Sequence, residues 1–308
     1  MEGHEILGFG FFVIGLWHLF NHIKLHFVCS SSKPNTSTLW FPTKISKYME
    51  LHFIMASCII FIAMELFITP LHHQPFDPKD GTIPSNHLHN FEHSSMALSF
   101  LTYATFAIFL DRKKSTSTTK TKKNELTHLL ASIAFAQQFL LIHLHSRDHM
   151  GIEGQYHYLL QVLIFICLVM TLMGIGFPKS FLVCFVRSIS IIFQGLWLMF
   201  MGFMLFTPGY APKGCFMKLE EDQFVVRCSD EKALHRAISL VNIQFSWFLI
   251  GVTVFAVSLY LIMATRYHEK VEYVSLMKVE HYCEEDGLKN FDVESQCQKI
   301  TTSMQDQI

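Results

Sequence analysis

The sequence predicts an all-α fold: a polytopic membrane protein, a seven-transmembrane-helix bundle with its N-terminus outside or lumenal and its C-terminus cytosolic. Three observations carry that expectation. Half of the 308 residues are apolar, thirty of them Phe, only 16 % are charged, and the mean hydropathy is +0.31, which is too hydrophobic for an ordinary soluble domain. Apolar windows of the ~20 residues that a helix needs to cross a bilayer recur seven times, and Lys and Arg are unevenly shared between alternate loops. Because unpaired backbone groups are costly in lipid, each window is expected to be helical.

The first window, about 6–27, follows Met1-Glu2-Gly3-His4-Glu5 with no basic leader, so this span is expected to stay in the protein. Pro34 and Pro42 separate it from the second, about 48–69, and Pro70, Pro75, Pro78, Gly81 and Pro84 separate that from the third, about 91–110. The fourth and fifth, about 125–145 and 156–177, flank a short polar turn. Gly174, Gly176 and Pro178 end the fifth; Pro208, Gly209, Pro212 and Gly214 end the sixth, about 181–206; and the seventh covers about 237–264. Residues 1–266 therefore read as one membrane domain, and 267–308 as a polar, partly disordered cytosolic tail.

Orientation follows from the loops. The first holds Lys33, Lys44 and Lys47 and the third holds Arg112, Lys113, Lys114, Lys120, Lys122 and Lys123, whereas the second and fourth hold only Lys79 and Arg147. The odd loops are thus expected in the cytosol, where the sequon Asn35-Thr36-Ser37 stays without sugar and the basic third loop meets anionic lipid headgroups. A net charge of -1 gives nucleic acid no electrostatic foothold. The eight cysteines include no CxxC pair, which argues against a thiolate zinc module; Cys215 and Cys228, in the sixth loop, are candidates for a disulfide hairpin in an oxidising compartment.

Alternating directions bring His4, Glu65, His87, His89, His93, His143, His145, His149, Glu153 and His157 to the outer face. Near the inner face lie His18, His22, His26, Glu50, His52 and His128. Zinc takes three or four imidazole or carboxylate ligands, and an open position would acidify a bound water. The same outer groups also suit a structural polar network at a membrane interface. His18, His22 and His26 form one stripe on the first helix; packing against neighbours is the simpler account, and bis-histidine haem ligation the sharper alternative. Gln194 offers an amide inside the sixth span, and Arg187 reads as an interface anchor.

Several stretches together resemble the transmembrane protein 45 family, whose plant members are described as viral-response proteins of unknown function. They are Gly3-His4 with Gly15-Leu16-Trp17, Glu50 and Glu65, His93-Ser94-Ser95-Met96, and His143-Leu144-His145-Ser146-Arg147. Glu153 before His157-Tyr158-Leu159-Leu160 continues the series, and Arg187 through Gln194-Gly195-Leu196-Trp197 to Gly202-Phe203 completes it. The resemblance implies a seven-helix membrane protein and narrows the metal candidates to His4, His93, His143, His145 and His157, with Gln194, Trp197 and Arg187 in support. The longer turn between Arg147 and His157 and the Phe245-Ser246-Trp247-Phe248 of the last span depart from the family pattern.

These readings lead to an expected zinc site at the outer end of the bundle, in a protein of the endomembrane system or plasma membrane. Were it catalytic, Glu153 or Glu65 would serve as base in metal-dependent hydrolysis of a lipid-like substrate. Proton or metal-ion transport between the two histidine layers is a second class of function, and a non-catalytic membrane adaptor in stress or defence responses a third.

Overall fold

The computed structural model describes residues 2–29, 38–68, 75–113, 117–146, 151–220 and 223–286. Among these, seven helices are long and apolar enough to cross a membrane. They are α1 (Glu2–Cys29), α2 (Met49–Ala63, continued by a π-helical turn, Met64–Ile68), α3 (Leu88–Arg112), α4 (Ser117–Ser146), α5 (Ile152–Gly176), α6 (Phe181–Phe206) and α7 (Glu231–Asp286). Two helices overrun the apolar windows: α4 begins at Ser117 rather than near 125, and α7 runs from Glu231 to Asp286 rather than over 237–264. Polar residues extend a helix beyond the hydrocarbon layer without adding to an apolar window. The chain divides into two compact units, 1–260 and 261–308, and the described part of the second is the remainder of α7. The sequon at Asn35, the turn at 147–150 and the tail beyond Asp286 lie outside the described residues.

In the first unit, α1 to α6 form a ring of neighbours: each packs on the next in sequence, and α6 closes back on α1. The α1–α6 pairing is the most extensive and α1–α2 the thinnest. Glycines explain the first. A Cβ on Gly195 would lie 2.4 Å from the Phe12 backbone nitrogen and 2.6 Å from the Gly8 carbonyl oxygen, and a Cβ on Gly15 would lie 2.6 Å from the Ile192 nitrogen. Only hydrogen fits at these points, so the two backbones touch, as small residues permit in membrane helix pairs. At the other end of the same pair, the His26 and Phe181 rings stack with centroids 4.2 Å apart, so the helices run antiparallel over most of their length.

Trp197 is fully buried on α6 and donates its indole N–H to the Tyr156 carbonyl on α5 at 3.2 Å. Its ring lies 4.9 Å, edge-on, from that of Phe245 on α7. Two further bonds hold α7 to α5: Gln155 Nε2 to Asn242 Oδ1 at 2.6 Å, and Tyr156 O–H to Gln244 Oε1 at 3.1 Å.

Local signals set the ends. Gly151 stands before α5 at φ 83°, a conformation that a side chain strains. Ser180 caps α6 by accepting the Val183 N–H, and Asp230 caps α7 by accepting the Ala233 N–H at 2.8 Å. Between α6 and α7, β1 (Cys215–Glu220) pairs antiparallel with β2 (Gln223–Cys228), and a disulfide joins Cys215 to Cys228 across the open end of the hairpin. In the α1–α2 connection, Tyr48 O–H donates to Asp111 Oδ2 at 2.8 Å and Lys47 pairs with the same carboxylate, which holds the Lys47 proton more tightly than in an ordinary lysine.

Candidate functional site

The densest buried polar cluster lies away from the end at which α1 begins. Trp17 and His18 are adjacent on α1 and point about 100° apart, yet both reach Glu50 in the first turn of α2, one at each oxygen. Trp17 Nε1–H donates to Oε2 at 2.9 Å and His18 Nε2 lies 2.7 Å from Oε1. The connection from α1 brings the Phe41 backbone N–H to Oε2 at 2.8 Å. Glu50 is 4 % exposed, so these partners replace the water an ionised carboxylate would otherwise hold.

One turn further along α1 is His22, facing Arg187 of α6, which is fully buried. Arg187 Nη2 donates to the Thr38 carbonyl at 2.9 Å and lies 3.3 Å from His22 Nε2. A guanidinium has only donors, so His22 accepts at Nε2 and carries its proton on Nδ1. The remaining Arg187 nitrogens, Nε and Nη1, have no hydrogen-bond partner among the described residues. Room for the group comes from Gly174 of α5, where a Cβ would sit 2.8 Å from the His128 ring and 3.4 Å from Arg187 Nη1. The Phe41 ring stands edge-on to both imidazoles, its centroid 5.8 Å from His18 and 4.8 Å from His22, and covers the cluster.

A second acid–imidazole pair lies toward the end at which α1 begins. Glu65 is carried by the π-helical turn that ends α2 and is buried against α3, where Asn90 Nδ2 donates to Oε2 at 2.8 Å and His93 Nδ1 lies 3.6 Å from Oε1. Single π turns within α-helices recur at functional positions. Between the two pairs, Gln194 Nε2 donates to Gln138 Oε1 at 3.1 Å, both side chains buried; Gln194 Oε1 has no partner among the described residues.

Of the residues singled out in the sequence, the structure therefore brings together Glu65 and His93, and separately Arg187 with the inner histidines. His157 is buried with Nδ1 2.9 Å from the Glu153 carbonyl oxygen of its own helix, Glu153 is half-buried and His143 is exposed. The side chains of His4 and His145 lie outside the described residues. Among the described residues, no group of three or more His, Cys, Asp or Glu is placed to hold a metal ion. For a haem, the Nε2 atoms of His18 and His22 are committed to Glu50 and Arg187, and His26 stacks on Phe181. Gln194 turns to Gln138 rather than to the outer histidines, and Trp197 lies between α5 and α7.

A cavity of about 100 Å³ lies alongside the inner cluster. Its wall on α1 runs from Ile6 to His18, about 18 Å at 1.5 Å per residue, facing Phe53, Ser57 and Cys58 of α2 and Met96 and Phe100 of α3. That length in that volume describes a narrow slot. Nearly all of its surface is apolar; His18, Tyr103, Gln138 and Arg187 are polar exceptions. It lies where α1 and α2 pack most thinly, and Phe53 in its wall is exposed on the bundle surface.

Thr38, Phe41 and Asn90, which complete both sites, carry little signal in the sequence. Two contribute backbone atoms, which carry no residue-type signal, and Asn90 sits three residues before His93 on one helix face, the one cue available.

Residues 124–261 match a family described as a family of unknown function (DUF716). The similarity covers most of α4 and all of α5, α6 and the hairpin, together with α7 as far as Leu261, and so includes Arg187, Gln194 and Trp197 but not Glu50 or Glu65. That match and the seven apolar helices together describe a multi-pass membrane protein.

Proposed function

We propose that this protein binds a membrane-resident amphiphile in the slot between α1, α2 and α3. The observation that carries the reading is the slot itself: apolar walls along the hydrocarbon depth, ending at the hydrogen-bonding groups of His18 and Arg187. Ligand sites combine a largely apolar lining with a few fixed polar groups that set orientation. Gly10 lines the slot, and a Cβ there meets nothing within 4 Å. Gly10→Trp is therefore expected to fill the slot without displacing backbone. Lipid that stays with the purified wild-type protein through detergent exchange, measured by mass spectrometry, should be lost from this variant. Equal recovery from both would overturn the reading.

The orientation that suits the loop charges places the α1-start end outside or in the lumen and the tail in the cytosol. It puts the Cys215–Cys228 hairpin in an oxidising compartment, in the endomembrane system or plasma membrane, and the basic α3–α4 connection beside anionic headgroups. The motif series from Gly15-Leu16-Trp17 to Gly202-Phe203 supports the finer assignment to the transmembrane protein 45 family.

The π-helical turn under Glu65 favours a second reading, in which Glu65 and His93 belong to a zinc- or proton-handling site completed by His4 or His145. Glu65 and His93 supply two of the three or four ligands that zinc requires. Metal analysis of purified protein beside a His93→Ala, His157→Ala double variant tests it: stoichiometric zinc in the wild type and less in the variant is the expected result, and no zinc, or unchanged zinc, removes the metal form.

A further inference from the structure

Resting on the slot as an amphiphile site, we infer that its ligand is a single-chain carboxylic acid of the fatty-acid class, held by its carboxylate at Arg187. Arg187 lines the slot, is fully buried, and keeps Nε and Nη1 without hydrogen-bond partners among the described residues. A guanidinium can only donate, so the head that completes it must accept. Charge-assisted bonds to a carboxylate are about twice as strong as bonds to a neutral acceptor, and a buried cation is where that difference matters most. Glu50, the carboxylate of this cluster, is already engaged by Trp17, His18 and the Phe41 N–H. His18, also in the slot wall, presents Nδ1 without a partner beside the same end of the slot.

Shape and depth agree. Arg187 lies six residues into α6, about 9 Å from the helix start, so the polar end of the slot is near one membrane surface. The apolar part runs from there toward the bilayer middle and beyond along α1, so a ligand with its head at Arg187 points its tail the way a lipid of that leaflet does. A slot this narrow excludes a two-chain lipid and leaves a single chain as the ligand. The thin α1–α2 seam, with Phe53 exposed beside it, lets the chain slip in sideways from the bilayer.

Binding of radiolabelled oleate to full-length protein in nanodiscs tests this, with oleyl alcohol and methyl oleate as neutral competitors. The expected result is saturable oleate binding, at least tenfold weaker competition by both neutral analogues, at least a tenfold loss in Arg187→Gln, and loss in Gly10→Trp. Because Arg187→Gln can fail to fold, Arg187→Lys is measured beside it, with retention of part of the oleate preference expected, and the competitor ratio is read on wild-type protein alone. If the neutral analogues compete equally and Gly10→Trp blocks them, the slot is an amphiphile site and the carboxylate assignment falls. If none of the three ligands binds, the amphiphile reading falls with it.

Discussion

Glu50 shows what a single buried carboxylate does here. Three groups from α1 and the α1–α2 connection converge on its two oxygens. Truncation at Glu50→Ala strands the Trp17 and Phe41 N–H groups and leaves His18 without its acceptor; breaking one partner out of a buried pair costs roughly 3–5 kcal/mol. Glu50→Gln retains an acceptor and loses the charge, so its loss should be the smaller of the two. Unfolding of the purified variants in detergent measures this, and an Ala variant as stable as the wild type would refute the account. The sequence placed Glu50 and the histidine stripe at one membrane face, but it read Arg187 as an anchor reaching for the interface. The structure instead buries Arg187 against His22 and Thr38. Snorkelling is available to any long cation near a helix end; choosing burial over it required the acceptors of a distant loop, which no local pattern announces.

Among the elements, the α1–α6 pair holds the ring together, and the glycines specify it. Gly195→Ala puts a methyl 2.4 Å from the Phe12 nitrogen, where neither backbone can yield without parting the helices. The expected loss is about 1–3 kcal/mol, the usual range for forced overpacking. Gly251→Ala on α7, whose Cβ meets nothing within 4 Å, should be close to neutral. Denaturant titration in mixed micelles compares them, and equal stability of the two variants would contradict the close crossing. Helix existence was plain in the sequence, since a 20-residue apolar run has few alternatives in lipid. Helix partnership was not: the residues that Gly195 meets, Gly8 and Phe12, lie far away in the sequence. The π-helical turn beneath Glu65 was equally hidden, because Met64-Glu65-Leu66-Phe67-Ile68 reads as ordinary apolar helix.

At the scale of the whole molecule, the loop charges and the hairpin make one joint prediction: Asn35 carries no sugar, and Cys215 and Cys228 take up a maleimide mass tag only after reduction. Endoglycosidase-sensitive sugar at Asn35, or tagging of both thiols without reductant, would invert the proposed topology. The ring closure has a consequence for how the chain is made. α1 leaves the ribosome ahead of its principal partner, α6, which is synthesised only after four further spans have been threaded. Until then the glycine face of α1 and the acceptors at His22 and Thr38 wait in the bilayer without the helix that covers them. The last ring helix thus acts as a keystone, and a nascent chain arrested after α5 should be held by the insertion machinery or degraded rather than released as a stable five-helix product.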